Sequence, residues 1–317
     1  MTDTLAVASP IDDLNTIQSY LEYLGPHCAS QFPQRQAQLQ PQAALVDFSR
    51  LVQLKHHRSR FGFYGIFYKP HVYGPITYGR SQYDYEAGTI MFIAPGQVAG
   101  IDDNKITKNP EGMALLFSPE FLAGSKLADE ISDYHFFAYS SNEALHMSDR
   151  ERELILRLMQ DFGTELDTSG DDFSHDILLA LLETILKHCQ RFYARQFQTR
   201  QPLNHDVLSR FERLMQSYFS SEQPEIHGLP TVAWCAEQLH FSANYFGDLI
   251  KNETGFSVRD YIHKQVIARA KEQLIGSSKN ISEIAFELGL QYPHHLSRLF
   301  KKEVGCTPQQ YRSQHIA

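Results

Sequence analysis

No stretch of this 317-residue chain approaches the run of about eighteen apolar residues that a membrane-spanning helix needs, so no membrane partner is expected. The opening MTDTLAVASPIDD has no cationic segment leading into an apolar one, and no secretory leader is expected. Cysteine is scarce: Cys28, Cys189, Cys235 and Cys306 stand far apart and never as C-x-x-C. That spacing argues against a zinc site or a disulfide framework and for reduced, buried thiols in a cytoplasm. P-loop, G-x-G-x-x-G, G-x-S-x-G and H-E-x-x-H motifs are all missing, so the commonest signatures of nucleotide, hydrolase and zinc-protease chemistry are absent. Neither an enzyme nor a cofactor is expected.

An excess of positive charge is missing too. The formal net charge is -8, and the residues after Asn204 hold about twelve Lys and Arg against about twelve Asp and Glu. The acidity therefore lies in the first part of the chain, and the last part is neutral. Any attraction to phosphate must come from local clusters such as Lys301 and Lys302.

What is present is a helical unit written twice. In NISEIAFELGLQYPHHLSRLFKKEVGCTPQQYR, from Asn280 to Arg312, Ile281, Ile284, Ala285 and Leu288 recur at helical spacing. Gly289 stands where a C-terminal cap is wanted, because it has no Cβ to oppose the left-handed conformation. Pro293 suits the first position of a second helix, whose inward side is Leu296, Leu299 and Phe300. His294, His295, Ser297, Arg298, Lys301 and Lys302 are left outward. A shift of fifty lays Lys251 on Lys301, Glu253 on Glu303, Gly255 on Gly305 and Tyr261 on Tyr311. The leading helices VAWCAEQL and ISEIAFEL align at forty-nine, so the second turn is one residue longer. Two copies of helix, turn and helix point to a paired module. Between them Val258, Ile262, Val266, Ala270 and Leu274, with Ile267 and Ile275 beside them, form one amphipathic helix long enough to brace both.

From about Leu208 to Arg312, this arrangement and its G-C-T-P-Q-Q-Y-R ending resemble the AraC/XylS family of bacterial transcription regulators. The resemblance implies double-stranded DNA as partner, RNA polymerase as a second partner, and an activating role. It makes Asn244, Gly247 and Asp248, with Tyr245 nearby, the base-facing positions of the first recognition helix, and gives Arg298 a base-contacting place in the second. Lys251, Lys301 and Lys302 are the accompanying cations. In such families the brace sets both recognition helices on one side of the duplex, with successive major grooves about 34 Å apart.

The first part of the chain has a β texture from Ala44 to about Tyr139, with short aromatic or β-branched runs punctuated by Gly, Pro and Asp. A small barrel or sandwich follows. Tyr85 to Val98 is similar to the second half of a cupin motif, with turns at Gly88 and at Pro95–Gly96 around a buried strand. A metal-binding cupin needs a H-x-H strand, which is missing here. His56 and His57 are adjacent and would face opposite sides of a strand. An aromatic pocket for a small effector is the remaining expectation, with Tyr64, Tyr68, Tyr78 and Tyr83 as candidates.

Residues 11 to 24 read as a short helix. Ser148 with Glu151 forms a capping box for a helix that carries Leu154, Ile155, Leu158, Met159, Phe162 and Leu166. A second helix, from about Ser174 to Phe197, has an apolar stripe wide enough for a homodimer interface as well as a core. The expected organisation is α+β: an N-terminal helix and arm over 1–40, a cupin-like sensory and dimerisation domain over 41–197, a linker over 198–206 and an all-α DNA-binding domain over 207–317. A cupin-type enzyme and a protein-interaction module are the alternatives in other classes.

Overall fold

The computed structural model describes residues 12–25, 41–55, 59–70, 77–78, 81–82, 88–99, 106–139, 143–168, 173–199 and 201–315. The chain divides into two compact units, Met1–Gln196 and Phe197–Ala317. The strands lie in the first, and the elements described in the second are all helices, so the fold is α+β. No described helix is long and apolar enough to cross a membrane.

The chain enters as strand β1 (Asp12–Leu14), which pairs in parallel with β4 (Ser59–Phe61). Helix α1 then runs Ile17–Leu24. The expected helix over 11 to 24 is thus shorter. Thr16 and Ser19 cap each other's backbone N–H, fixing the helix start after the strand. Ile17, Tyr20 and Leu21 join Phe61, Phe63, Phe67 and Val46 in one core, with the Tyr20 ring edge-on to Phe61 at 5.7 Å.

The main sheet is antiparallel, in the order β12 (Leu145–His146), β8 (Thr89–Ile93), β5 (Tyr64–Lys69), β11 (Met113–Phe117), β2 (Ala43–Asp47). Its centre is covered on both faces: Ile66, Phe67 and Tyr68 are buried, as are Ala114 to Phe117. Small pairings add β9 (Val98–Ala99) to β4, β10 (Ile106–Lys108) to β3 (Gln53–Lys55), and β6 (Thr77–Tyr78) to β7 (Ser81–Gln82). Gly88 and Gly96, at φ +98° and +84°, bracket β8 as the motif requires. Gln97 fixes that turn, accepting from the Ala94 N–H at 2.9 Å and donating to the Phe137 carbonyl at 2.7 Å.

Two short helices, α2 (Pro119–Leu122) and α3 (Lys126–Glu130), lead to the pair α4 (Asp149–Asp167) and α5 (Ser174–Thr199). The Ser148–Glu151 capping box is present. Arg195 of α5 completes it, forking onto both oxygens of Glu151 at 3.0 and 2.9 Å while donating to the His146 carbonyl at 2.7 Å. One guanidinium therefore ties α5, the start of α4 and the edge strand β12 together.

The wide stripe of α5 has a plainer use than a dimer interface. Leu182, Ile185, Leu186 and Cys189 are fully buried within the single chain. Leu182 and Ile185 are core residues, whereas Ile177, near the start of the stripe, is 44% exposed. The segment expected as a linker has regular structure. Helix α6 begins at Gln201 and runs to Phe219, so most of 198–206 is helical.

The second unit continues with α7 (Gln223–His227), α8 (Val232–Leu239), α9 (Ala243–Thr254), α10 (Val258–Gly276), α11 (Ile281–Glu287), α12 (Pro293–Val304) and α13 (Pro308–His315). Helix α10 is the brace: Val266, Ile267, Ala270 and Leu274 share a core with Ile284, Ala285, Leu288, Leu296 and Phe300. Ile275 departs from expectation, being 44% exposed one residue before the helix ends.

Candidate nucleic-acid interface

The repeat in the sequence is a repeat of atoms. Helix α8 starts on Thr231, whose hydroxyl accepts from the Trp234 N–H at 3.1 Å, and α11 starts on Asn280, which accepts from Glu283 at 2.9 Å. Both helices stop on a left-handed residue, His240 (φ +65°) in one and Gly289 (φ +83°) in the other. Helix α9 opens on Ser242 and α12 on Pro293 at its first position. Each ends on a glycine whose N–H returns to a lysine carbonyl, Gly255 to Lys251 at 2.8 Å and Gly305 to Lys301 at 3.0 Å. Ser257 and Thr307 then cap α10 and α13.

Most of the G-C-T-P-Q-Q-Y-R ending has a structural role. Tyr311 packs on Phe300 at 5.3 Å. Arg312 donates to the Leu274 carbonyl at 2.9 Å and to the Lys279 carbonyl at 2.6 Å, fastening the last helix to the end of the brace. Tyr261, the counterpart of Tyr311, packs on Phe211 and bonds Glu212 at 3.1 Å. Burial first, and that carboxylate second, push its hydroxyl up to about 12.

These elements leave matching outer stripes. On α9 the stripe is Asn244, Gly247, Asp248 and Lys251; on α12 it is His294, Ser297, Arg298 and Lys301. Members are spaced i, i+3, i+4 and i+7, so each set occupies one helix face. Asn244, Lys251, His294, Arg298, Lys301 and the neighbouring Lys302 are exposed, while Gly247, Asp248 and Ser297 are half-buried. Among the described residues Arg298 has no ion pair, with Glu303 or any other acid. A guanidinium so placed can fork onto guanine O6 and N7.

Tyr245 belongs elsewhere. It is fully buried with Phe246, Leu249 and Ile250, and its ring stacks on Phe241 at 5.7 Å. One residue from Asn244 is about a hundred degrees around a helix, which turns it from groove to core. His295, its counterpart, is half-buried against His294 at 4.4 Å. Tyr292 was not among the expected contacts. It is 54% exposed just before α12 and stacks on His294 at 5.5 Å. An aromatic residue beside Pro293 at the start of an outward helix was the available signal.

Two of the thiols are inert: burial pushes Cys235 up to about 12 and raises Cys189 further. In the first unit, Tyr64 stacks on Phe117 at 5.1 Å and Tyr68 is buried, each hydroxyl raised chiefly by burial. Tyr83 lies outside the described residues, as does the side chain of Tyr78. Neither Tyr64 nor Tyr68 lines the cavity of about 290 Å³ bounded by β8, β9, the 136–139 turn and α5. Phe92, Phe136, Tyr139 and Tyr193 form its aromatic walls, with Gln97 at one side.

Residues 235–314 match a family model described as a helix-turn-helix domain. An uncharacterized HTH-type transcriptional regulator of Bacillus subtilis, YfiF, is 26% identical over 140 residues, 44% of this chain and 41% of that one. The HTH-type transcriptional activator RhaR of Yersinia pseudotuberculosis is 35% identical over 68 residues, 22% of this chain and 23% of that one. This chain therefore spans under half the length of these relatives. The C-terminal domain of AraT, a response regulator from Geobacillus stearothermophilus, is 31% identical, covering 34% of this chain and 84% of that one with a TM-score of 0.31. Through its C-terminal domain the chain is a member of the AraC/XylS family of helix-turn-helix proteins.

Proposed function

We propose that this protein is a sequence-specific DNA-binding transcription regulator that reads one site through two recognition helices, α9 and α12. The observation that carries this reading is the pair of matching outer stripes, fifty residues apart, each on a helix that follows a left-handed turn and ends on a glycine stop. Nothing in the packing requires Asn244, Lys251, His294, Arg298 or Lys301, since all are exposed. Their chemistry suits DNA. Asn pairs with adenine, Arg with guanine, and Lys with phosphate. The two helices are unequal, because α12 carries Arg298, Lys301 and Lys302 whereas α9 carries Lys251 and the acidic Asp248. Helix α12 is therefore the main source of affinity.

The finer reading is an activator that contacts RNA polymerase, works as a homodimer and answers to a small effector. Activation is supported by the name of the relative RhaR. An effector site is supported by the cavity beside Phe92 and Tyr193, whose walls suit a small apolar molecule with one polar group. Dimerisation, with Leu182 and Ile185 committed to the core, would use some other surface.

Selection of bound DNA from a random pool tests the central reading. The expected motif has two short boxes about ten base pairs apart, twice over for a dimer. A single box with no helical-turn spacing, or no enriched sequence, rejects it.

A further inference from the structure

Glycine weakens the interior of a helix relative to alanine, so each helical glycine calls for a reason. Among the described residues three glycines lie in helices: Gly163, Gly247 and Gly276. Gly163 has a packing reason, since a Cβ there would run into the Leu45 side chain. Gly276 is the last residue of α10, where the helix is ending in any case. Gly247 has neither reason. It is the fifth residue of the twelve in α9, and a Cβ on it would meet nothing within 4 Å.

The position is not random. Gly247 sits mid-stripe on α9, between Asn244 and Lys251. Its counterpart on α12 is Ser297, the smallest member of that stripe. Asn244 and Asp248 have short side chains, which reach a base edge only if the helix backbone comes close. Arg298 is long and reaches from farther away, so α12 tolerates a serine where α9 has no side chain at all.

We propose that Gly247 is a specificity-determining residue: it marks the closest approach of α9 to the base edges in the major groove, and Ser297 is the matching point of α12. The proposal rests on the DNA-binding reading above. A side chain at 247 would act as a spacer, lifting Asn244 and Asp248 off their bases while leaving the fold intact or firmer.

The test uses the full chain and the DNA sequence that the wild type selects from a random pool. Gly247→Ala is expected to raise the melting temperature by about 2–4 °C and to weaken that DNA about ten-fold. Gly247→Leu is expected to remove preference at the α9 box while the α12 box persists. Ser297→Leu should weaken binding as well. Wild-type affinity and base preference in both Gly247 variants overturn the proposal, and so does a lower melting temperature for Gly247→Ala, which would reveal a role in the fold. If the wild type selects no sequence, the regulator reading falls, and this inference with it.

Discussion

A Cβ on Gly289 would lie 2.8 Å from the carbonyl carbon of Gly228, inside any permitted contact. Gly289 also has φ +83°, whereas its counterpart His240 tolerates φ +65° at an exposed position. The second turn thus needs glycine twice over, for its conformation and for the close approach of the segment after α7. Gly289→Ala is expected to cost about 2–4 kcal/mol, strain and displacement together. His240→Gly should instead be neutral or stabilising by up to about 1 kcal/mol. Denaturant melts of both variants check this; equal losses would mean the two turns carry the same constraint.

Arg298 and Lys301 separate readout from charge. Arg298→Ala is expected to cost roughly 1–3 kcal/mol on the selected site and to relax preference at one guanine. Lys301→Ala should weaken all sequences alike and reduce the salt slope by about one. Binding curves on single-base variants of the site decide. Uniform weakening by Arg298→Ala would make it a phosphate contact.

Arg312 is predicted to support the domain without reading DNA. Loss of its bonds to the Leu274 and Lys279 carbonyls should lower stability by about 1–3 kcal/mol. Arg312→Lys should not restore it, because an ammonium cannot span both oxygens as the planar fork does. Selection at low temperature should return the wild-type motif from Arg312→Ala; an altered motif would place Arg312 among the readers.

Leu182→Glu or Ile185→Glu would bury an unpaired carboxylate in the first unit. The expected cost is at least about 4 kcal/mol, with loss of the β-sheet signal in circular dichroism. A folded monomer seen by sedimentation would return these residues to a subunit interface.

His263 gives the second unit a pH dependence. Burial lowers its pKa from 6.5, Asp260 and Glu303 oppose the shift, and Arg259 and Lys302 add to it. The folded state then prefers the neutral ring. Its stability is complete above the unfolded value of 6.5 and declines as the pH falls below that value, because the unfolded chain binds the proton more readily. His263→Gln should flatten the fall in melting temperature between about pH 7 and pH 5. An unchanged slope would assign the dependence to other groups.

The amino-acid sequence determined what depends on near neighbours. Caps, turn glycines and outer stripes are matters of three- and four-residue spacing, so the fifty-residue repeat, Ser148 with Glu151, Gly289 and the stripe through Arg298 were legible directly. Tertiary structure decided what depends on distant partners. Whether the second face of α5 meets solvent, a subunit or its own domain is set by elements far away in the chain, and Leu182 and Ile185 turned out to be core. The pairing of β1 with β4 joins residues 47 apart, beyond any local pattern. Tyr245 stands next to Asn244 in sequence but is fully buried, with the Phe197 ring, 48 residues earlier in the chain, 5.1 Å from its own. Gly247 needed both: its place in the stripe came from spacing, but the open space around it had to be seen.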